Sequence, residues 1–207
     1  MTKAPWNKNK SIGQKKPFTP RQIELLKELL ANAGNTKELA LFSFGIDSML
    51  RASDLLKIKV DDVLDFKGRA KSAIQVKQKK TGQSHQVRIG KGAQQAIEDL
   101  VRKEKKFESD FLFVADDKRF QYGRRKTAMT RGHYGLIIKK WCQFLHLDPR
   151  DYSTHSIRRT RAAMVYKETG NIEAVRQLLG QKSVTSTSAY LNLGQNEAFD
   201  IYAEFLD

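Results

Sequence analysis

The 207-residue chain has one cysteine, four histidines, four prolines and two tryptophans. A lone Cys142 cannot form an internal disulfide, and with four scattered histidines it offers no zinc-ligand spacing, so no metal site is expected. Its setting in "IIKKWCQFLHL" reads as a small core residue rather than a nucleophile. No stretch approaches the roughly 18 apolar residues of a membrane span. The N-terminus "MTKAPWNKNKSIGQKK" lacks the apolar segment of a signal peptide, so a soluble cytoplasmic protein without membrane contact is expected. There is also no phosphate-binding glycine loop and no cluster of carboxylates to suggest metal-assisted chemistry.

What the chain has in excess is positive charge. Lys and Arg number 38 against 23 Asp and Glu, a formal net charge of +15, which favours a polyanionic partner through counterion release. Nucleic acid fits first and an anionic membrane surface second. With 40% hydrophobic and 29% charged residues, the composition is that of a globular protein with one main domain.

Residues 1–18 hold five lysines, no acid and two prolines, and read as a basic flexible arm. The folded part, 19–207, begins at "FTPRQIELLKELLANAG". Thr19 is placed as N-cap, Pro20 at the first helical position, Gln22 completes a capping box, Phe18 and Ile23 form a staple, and Gly34 is the stop. From Thr36, "TKELALFSFGIDSML" is apolar almost all round, which predicts a helix in the interior. Between Ile58 and Ile89 the segments "IKVDDVLDF", "KSAIQVKQ" and "SHQVRI" read as short strands, with "KKTGQ" as a hairpin turn. Helices follow over 91–106, 130–146, 154–168 and 171–179, then a short one into Tyr190 and an amphipathic tail from Asn196. "FLFV", 111–114, fits a strand or a packed loop, and Trp141 and Phe144 fit the core. The expected fold class is α+β, mostly helical, with a small antiparallel sheet.

The stretch "HSIRRT" puts His155 and Arg158 three residues apart on the first turn of a helix. Free backbone N–H groups and the positive dipole end already favour an anion there, and arginine adds a planar fork that fits phosphate oxygens. Alone this is a common pattern. It stands, however, in an ordered series: Arg51 in "LRASDLL", Lys80 in "KKTG", His155 and Arg158, Gln181 in "LLGQKS", and Tyr190 nine residues later. In order and spacing these resemble the catalytic domain of the tyrosine recombinases, the family of phage integrases, Cre, the Xer recombinases and the fimbrial invertases. The resemblance runs over residues 19–207.

The resemblance implies a site-specific recombinase or integrase, of the kind carried by mobile genetic elements, that cuts and rejoins double-stranded DNA through a 3′-phosphotyrosyl intermediate. Tyr190 would be the nucleophile, Arg51 and Arg158 the clamp on the phosphate, Lys80 the general acid, and His155 and Gln181 further catalytic residues; Asp54 would orient Arg51 or the histidine. No cofactor is implied, neither metal nor ATP. A homo-tetramer on paired DNA sites, joined through the C-terminal helix, and DNA-bending accessory proteins are implied as partners. Arg131 and Lys182 are candidate contacts to the DNA backbone. Arg159 receives no role.

Two positions depart from the family pattern. Gln181 stands where the family has His or Trp and can donate a hydrogen bond but not transfer a proton, so weakened cleavage is expected. Met49 stands where the family more often has Gly, two residues before the arginine. The family's separate DNA-grasping domain is not represented in these residues: either the chain consists of little beyond the catalytic domain, as the fimbrial invertases do, or it is a fragment of a longer protein. The alternative is a catalytically weakened or inactive DNA-binding protein of the same fold. A basic RNA-associated protein is a third reading, disfavoured by the ordered motifs.

Overall fold

Helix α1, Pro20–Asn32, starts as its sequence directs. Thr19 Oγ1 accepts the Gln22 N–H at 3.3 Å, and Gln22 Oε1 accepts the Thr19 N–H at 2.9 Å. Just before it, Phe18 is buried against Phe42 and Tyr152, with ring centroids 5.8 and 4.8 Å away. The computed structural model describes residues 14–114 and 127–191. The far part of the basic arm, 1–13, and the tail from Asn196 lie outside these. Residues 15–18 are docked: Lys16 pairs with Asp151 at 2.7 Å, and the Phe18 N–H donates to Thr160 Oγ1 at 3.0 Å.

Helix α2, Thr36–Ser48, is the central rod, with Ala40–Ile46 buried without a break. It packs against α5, Lys91–Glu104, and α7, Thr154–Thr169. Gly45 makes the second contact possible, since a Cβ there would lie 2.9 Å from Ile157 Cγ2 and 3.0 Å from the Tyr134 hydroxyl. α6, Arg131–Phe144, closes the core with Tyr134, Ile138, Trp141 and Cys142. Phe144, expected inside, is 45% exposed at the last position of α6, so its ring faces water.

Two strands pair antiparallel, β1 Ala73–Lys77 and β2 Ser84–Arg88, with Ile74 opposite Val87. The third expected strand, 58–66, is not formed. There the chain makes the short helix α4, Val60–Val63, and touches its neighbours through single bridges, Lys59 to Phe111 and Leu64 to Ala70. The inward-facing residues explain it: Val60 and Val63, buried, and Leu64, partly buried, are spaced i, i+3, i+4, a helical and not an alternating pattern. Asp62 caps the turn by accepting the Lys59 N–H at 2.8 Å. "FLFV" is packed extended chain, bridged at Phe111 and Val114, with Leu112 and Phe113 fully buried. A one-turn helix α3, Ala52–Leu55, was not expected. The chain then runs through α7 into α8, Ile172–Leu179, and α9, Val184–Leu191.

Candidate active site

Four element ends converge. α2 terminates at Met49, whose φ of 49° is left-handed, a conformation in which a non-glycine residue carries strain. This reversal aims the Met49 carbonyl at α7 and starts α3 with Arg51. A glycine would adopt it freely; Met49 instead spends its side chain in a small apolar cluster with Ala162, Val175 and Leu179.

Arg158, the fifth residue of α7, is 3% exposed. It donates to the Met49 carbonyl at 2.5 Å and to the Leu179 carbonyl at 2.8 Å. The second acceptor is the last residue of α8, where carbonyls lack intrahelical partners and the dipole end favours a cation. A guanidinium carries five N–H groups, so donors remain for an anion. Arg51 donates through Nη1 to Gln78 Oε1 at 2.7 Å.

Tyr190 sits on α9 over the start of α7. Its hydroxyl lies 3.4 Å from the His155 carbonyl oxygen, and its ring lies 5.9 Å from the Arg158 guanidinium and 5.7 Å from that of Arg159. Arg159 is thus one of the residues that sequence reasoning missed. It is 7% exposed, donates to the Leu191 carbonyl at 3.2 Å and to the Lys15 carbonyl at 2.7 Å, and so ties the tyrosine helix and the basic arm to α7. Its signal was only its adjacency to Arg158.

Lys80 is exposed in the turn between β1 and β2 and lines, with Lys57, Lys79 and Arg131, an open cleft of about 490 Å³. Asp54, buried, turns its carboxylate to this hairpin: Oδ1 accepts the Lys79 N–H at 3.1 Å, and Oδ2 has no hydrogen-bond partner among the described residues. It thus holds the lysine turn rather than Arg51. Gln181 accepts the Thr187 hydroxyl through Oε1 at 2.6 Å, which joins the loop after α8 to the first turn of α9. Lys182 is exposed beside it. His85, on β2, reaches across to α8, its Nε2 2.9 Å from the Leu178 carbonyl oxygen.

The crowding of cations has electrostatic consequences. Burial, and then the Arg158, Arg51 and Arg159 charges, hold the His155 imidazole below its ordinary range. Burial lowers Arg158 to about 10, still protonated at neutral pH. Burial pushes the Tyr190 phenol up to about 12, against the opposing pull of Arg158, Arg159 and Arg51. The result is a neutral phenol and a neutral imidazole beside fixed positive charge, an arrangement suited to receiving a phosphate. Among the described residues no group of three His, Cys, Asp or Glu side chains is placed to hold a metal ion.

Residues 16–197 match the model of the phage integrase family. The chain is 25% identical over 184 residues to the probable integrase/recombinase YoeC of Bacillus subtilis, covering 89% of this chain and 92% of that one. It is 24% identical over 169 residues to the tyrosine recombinase XerC of Caldanaerobacter subterraneus subsp. tengcongensis, where it spans 78% of this chain but 42% of XerC. Among solved structures, the XerH site-specific recombinase bound to a palindromic difH substrate, in a post-cleavage complex, superposes with a TM-score of 0.70 at 14% identity. That match covers 94% of this chain and 54% of XerH.

Proposed function

Because the chain belongs to the phage integrase family and has the fold of a tyrosine recombinase catalytic domain, we propose that it cuts and rejoins double-stranded DNA at specific sites through Tyr190. The observation that carries this reading is the phenol of Tyr190 set against the Arg158 guanidinium at the open start of α7.

In the proposed reaction the Tyr190 oxygen attacks the scissile phosphorus and its proton passes to His155, whose lowered proton affinity leaves it neutral and able to accept. Arg51 and Arg158 hold the non-bridging oxygens as negative charge builds on them. The bond to the 5′-oxygen breaks, Lys80 supplies that oxygen with a proton, and a 3′-phosphotyrosyl link and a free 5′-hydroxyl result. Rejoining reverses these steps with the 5′-hydroxyl of a second strand. The covalent link conserves the energy of the broken bond, so ATP does not enter the scheme, and because Arg51, Arg158, Lys80 and His155 handle the charge, the scheme requires no metal.

XerH bound to its difH substrate supports DNA as the partner here, as does the net charge of +15. Arg131 and Lys182, both exposed, would contact the DNA backbone. Four copies on two sites, joined through C-terminal segments, with DNA-bending accessory proteins, complete the proposed assembly; the segment concerned lies outside the described residues. No helix among the described residues is long and apolar enough to cross a membrane.

One observation favours a second reading, a DNA-binding protein with weakened chemistry: at position 181 an amide occupied by Thr187 replaces a proton donor. The test is covalent capture. Incubating the protein with nicked duplexes of randomised sequence and isolating denaturant-resistant protein–DNA adducts should yield adducts for the wild type and none for Tyr190→Phe. Tight binding without adducts from the wild type would select the second reading.

A further inference from the structure

We propose that Gln78 is a positioning residue that fixes the two phosphate-binding arginines relative to each other and to the lysine hairpin; this rests on the recombinase reading above. Gln78 continues the inward face of β1 after Ile74 and Val76 and is 1% exposed, a position where packing alone would take an apolar side chain. A buried amide is costly unless its groups are bonded. Here they are bonded to the site. Oε1 accepts from Arg51 Nη1 at 2.7 Å and from the Thr81 hydroxyl at 3.1 Å. Nε2 points to the Leu179 carbonyl at 3.5 Å, the same oxygen that accepts from Arg158 at 2.8 Å.

The backbone of Gln78 also closes the lysine turn. Its N–H donates to the Gln83 carbonyl, and its carbonyl accepts the Gly82 N–H, each at 2.9 Å. A continuous line therefore runs from Arg51 through one amide to the end of α8 and on to Arg158, with the Lys80 turn hung from the same residue. The close approach depends on Gly180, because a Cβ there would lie 2.4 Å from Gln78 Nε2. His85 props the same junction from β2. Neither arginine is a neighbour of the other in sequence, and this amide makes them one unit.

Two variants test it in single-turnover cleavage of a nicked duplex captured by the wild type, with DNA affinity and melting temperature measured alongside. Gln78→Met keeps the length and removes both bonding functions. Gln78→Glu keeps an acceptor for Arg51 and removes the donor to Leu179. Both should bind DNA within about twofold of wild type and cleave on the order of 10²-fold more slowly, the scale set by small misplacements of catalytic groups. The defect should shrink to a few-fold on a duplex whose scissile phosphate is a methylphosphonate, which loses one charged non-bridging oxygen and asks less of the arginines. A 5′-bridging phosphorothiolate, whose leaving group requires no acid, should not restore the rate.

Wild-type cleavage by Gln78→Glu, an equal defect on diester and methylphosphonate, or full restoration by the phosphorothiolate would each overturn the proposal, the last by assigning Gln78 to Lys80 alone. If Gln78→Met melts early, Gln78→Glu carries the same three comparisons. A wild type that forms no adduct overturns the recombinase reading itself, whereas adducts from the wild type with an unimpaired Gln78 variant overturn this inference alone.

Discussion

Single side chains at this site act through what they are bonded to. Gln181 spends its Oε1 on Thr187 and has no transferable proton, so Gln181→His should raise the single-turnover cleavage rate, by about tenfold or more if the imidazole can serve as a proton donor. An unchanged rate would show that position 181 does not limit the chemistry. Arg159 supports the nucleophile from behind: Arg159→Leu strips the Leu191 and Lys15 carbonyls of their donors and should cost about 1–3 kcal/mol in denaturant unfolding. The same variant should speed amide exchange in α9 more than in α2, whose residues lie in the core.

Elements determine how these residues meet, and most of them could be read in advance. The capping box at Thr19, the all-round apolar α2, the β1–β2 hairpin and the helix from Thr154 all follow from local hydrogen bonding and periodicity. Segment 58–66 was misread because Ile58 and Val60 begin an alternation that Val63 and Leu64 break, and the caps that favour the short helix come from Asp62. The order of Arg51, Lys80, His155, Arg158, Gln181 and Tyr190 was legible as a series. The roles of Gln78, His85 and Arg159 were not, because each depends on a carbonyl at a helix end that only the folded chain brings near. Gly180 is where α8 and the hairpin touch. With φ at +59° and no room for a Cβ, Gly180→Ala should cost about 1–2 kcal/mol for the backbone alone and slow cleavage further by displacing Gln78. Thermal melts and adduct yield would measure the two effects separately.

At the scale of the molecule, concentrated positive charge governs both stability and chemistry. His85 and His155 both have proton affinities lowered in the fold by burial and neighbouring arginines. The unfolded chain therefore binds protons more readily near its ordinary value of 6.5, and melting temperature should fall as pH drops from about 7 to about 5. Asp148 and Glu173, each held near 2 chiefly by hydrogen bonds from Arg150 and Arg176, act in the same direction but only below about pH 4.5, where their unfolded forms take up protons. A melting temperature that stays flat between pH 7 and 5 would contradict the histidine assignment. The central claim, that this positive site exists to hold a phosphate for Tyr190, is tested most directly on the covalent adduct itself. Digestion of the captured protein–DNA complex with protease and nuclease, followed by tandem mass spectrometry, should place a 3′-linked nucleotide on Tyr190 and nowhere else. A nucleotide on any other residue, or an adduct that survives Tyr190→Phe, would contradict it.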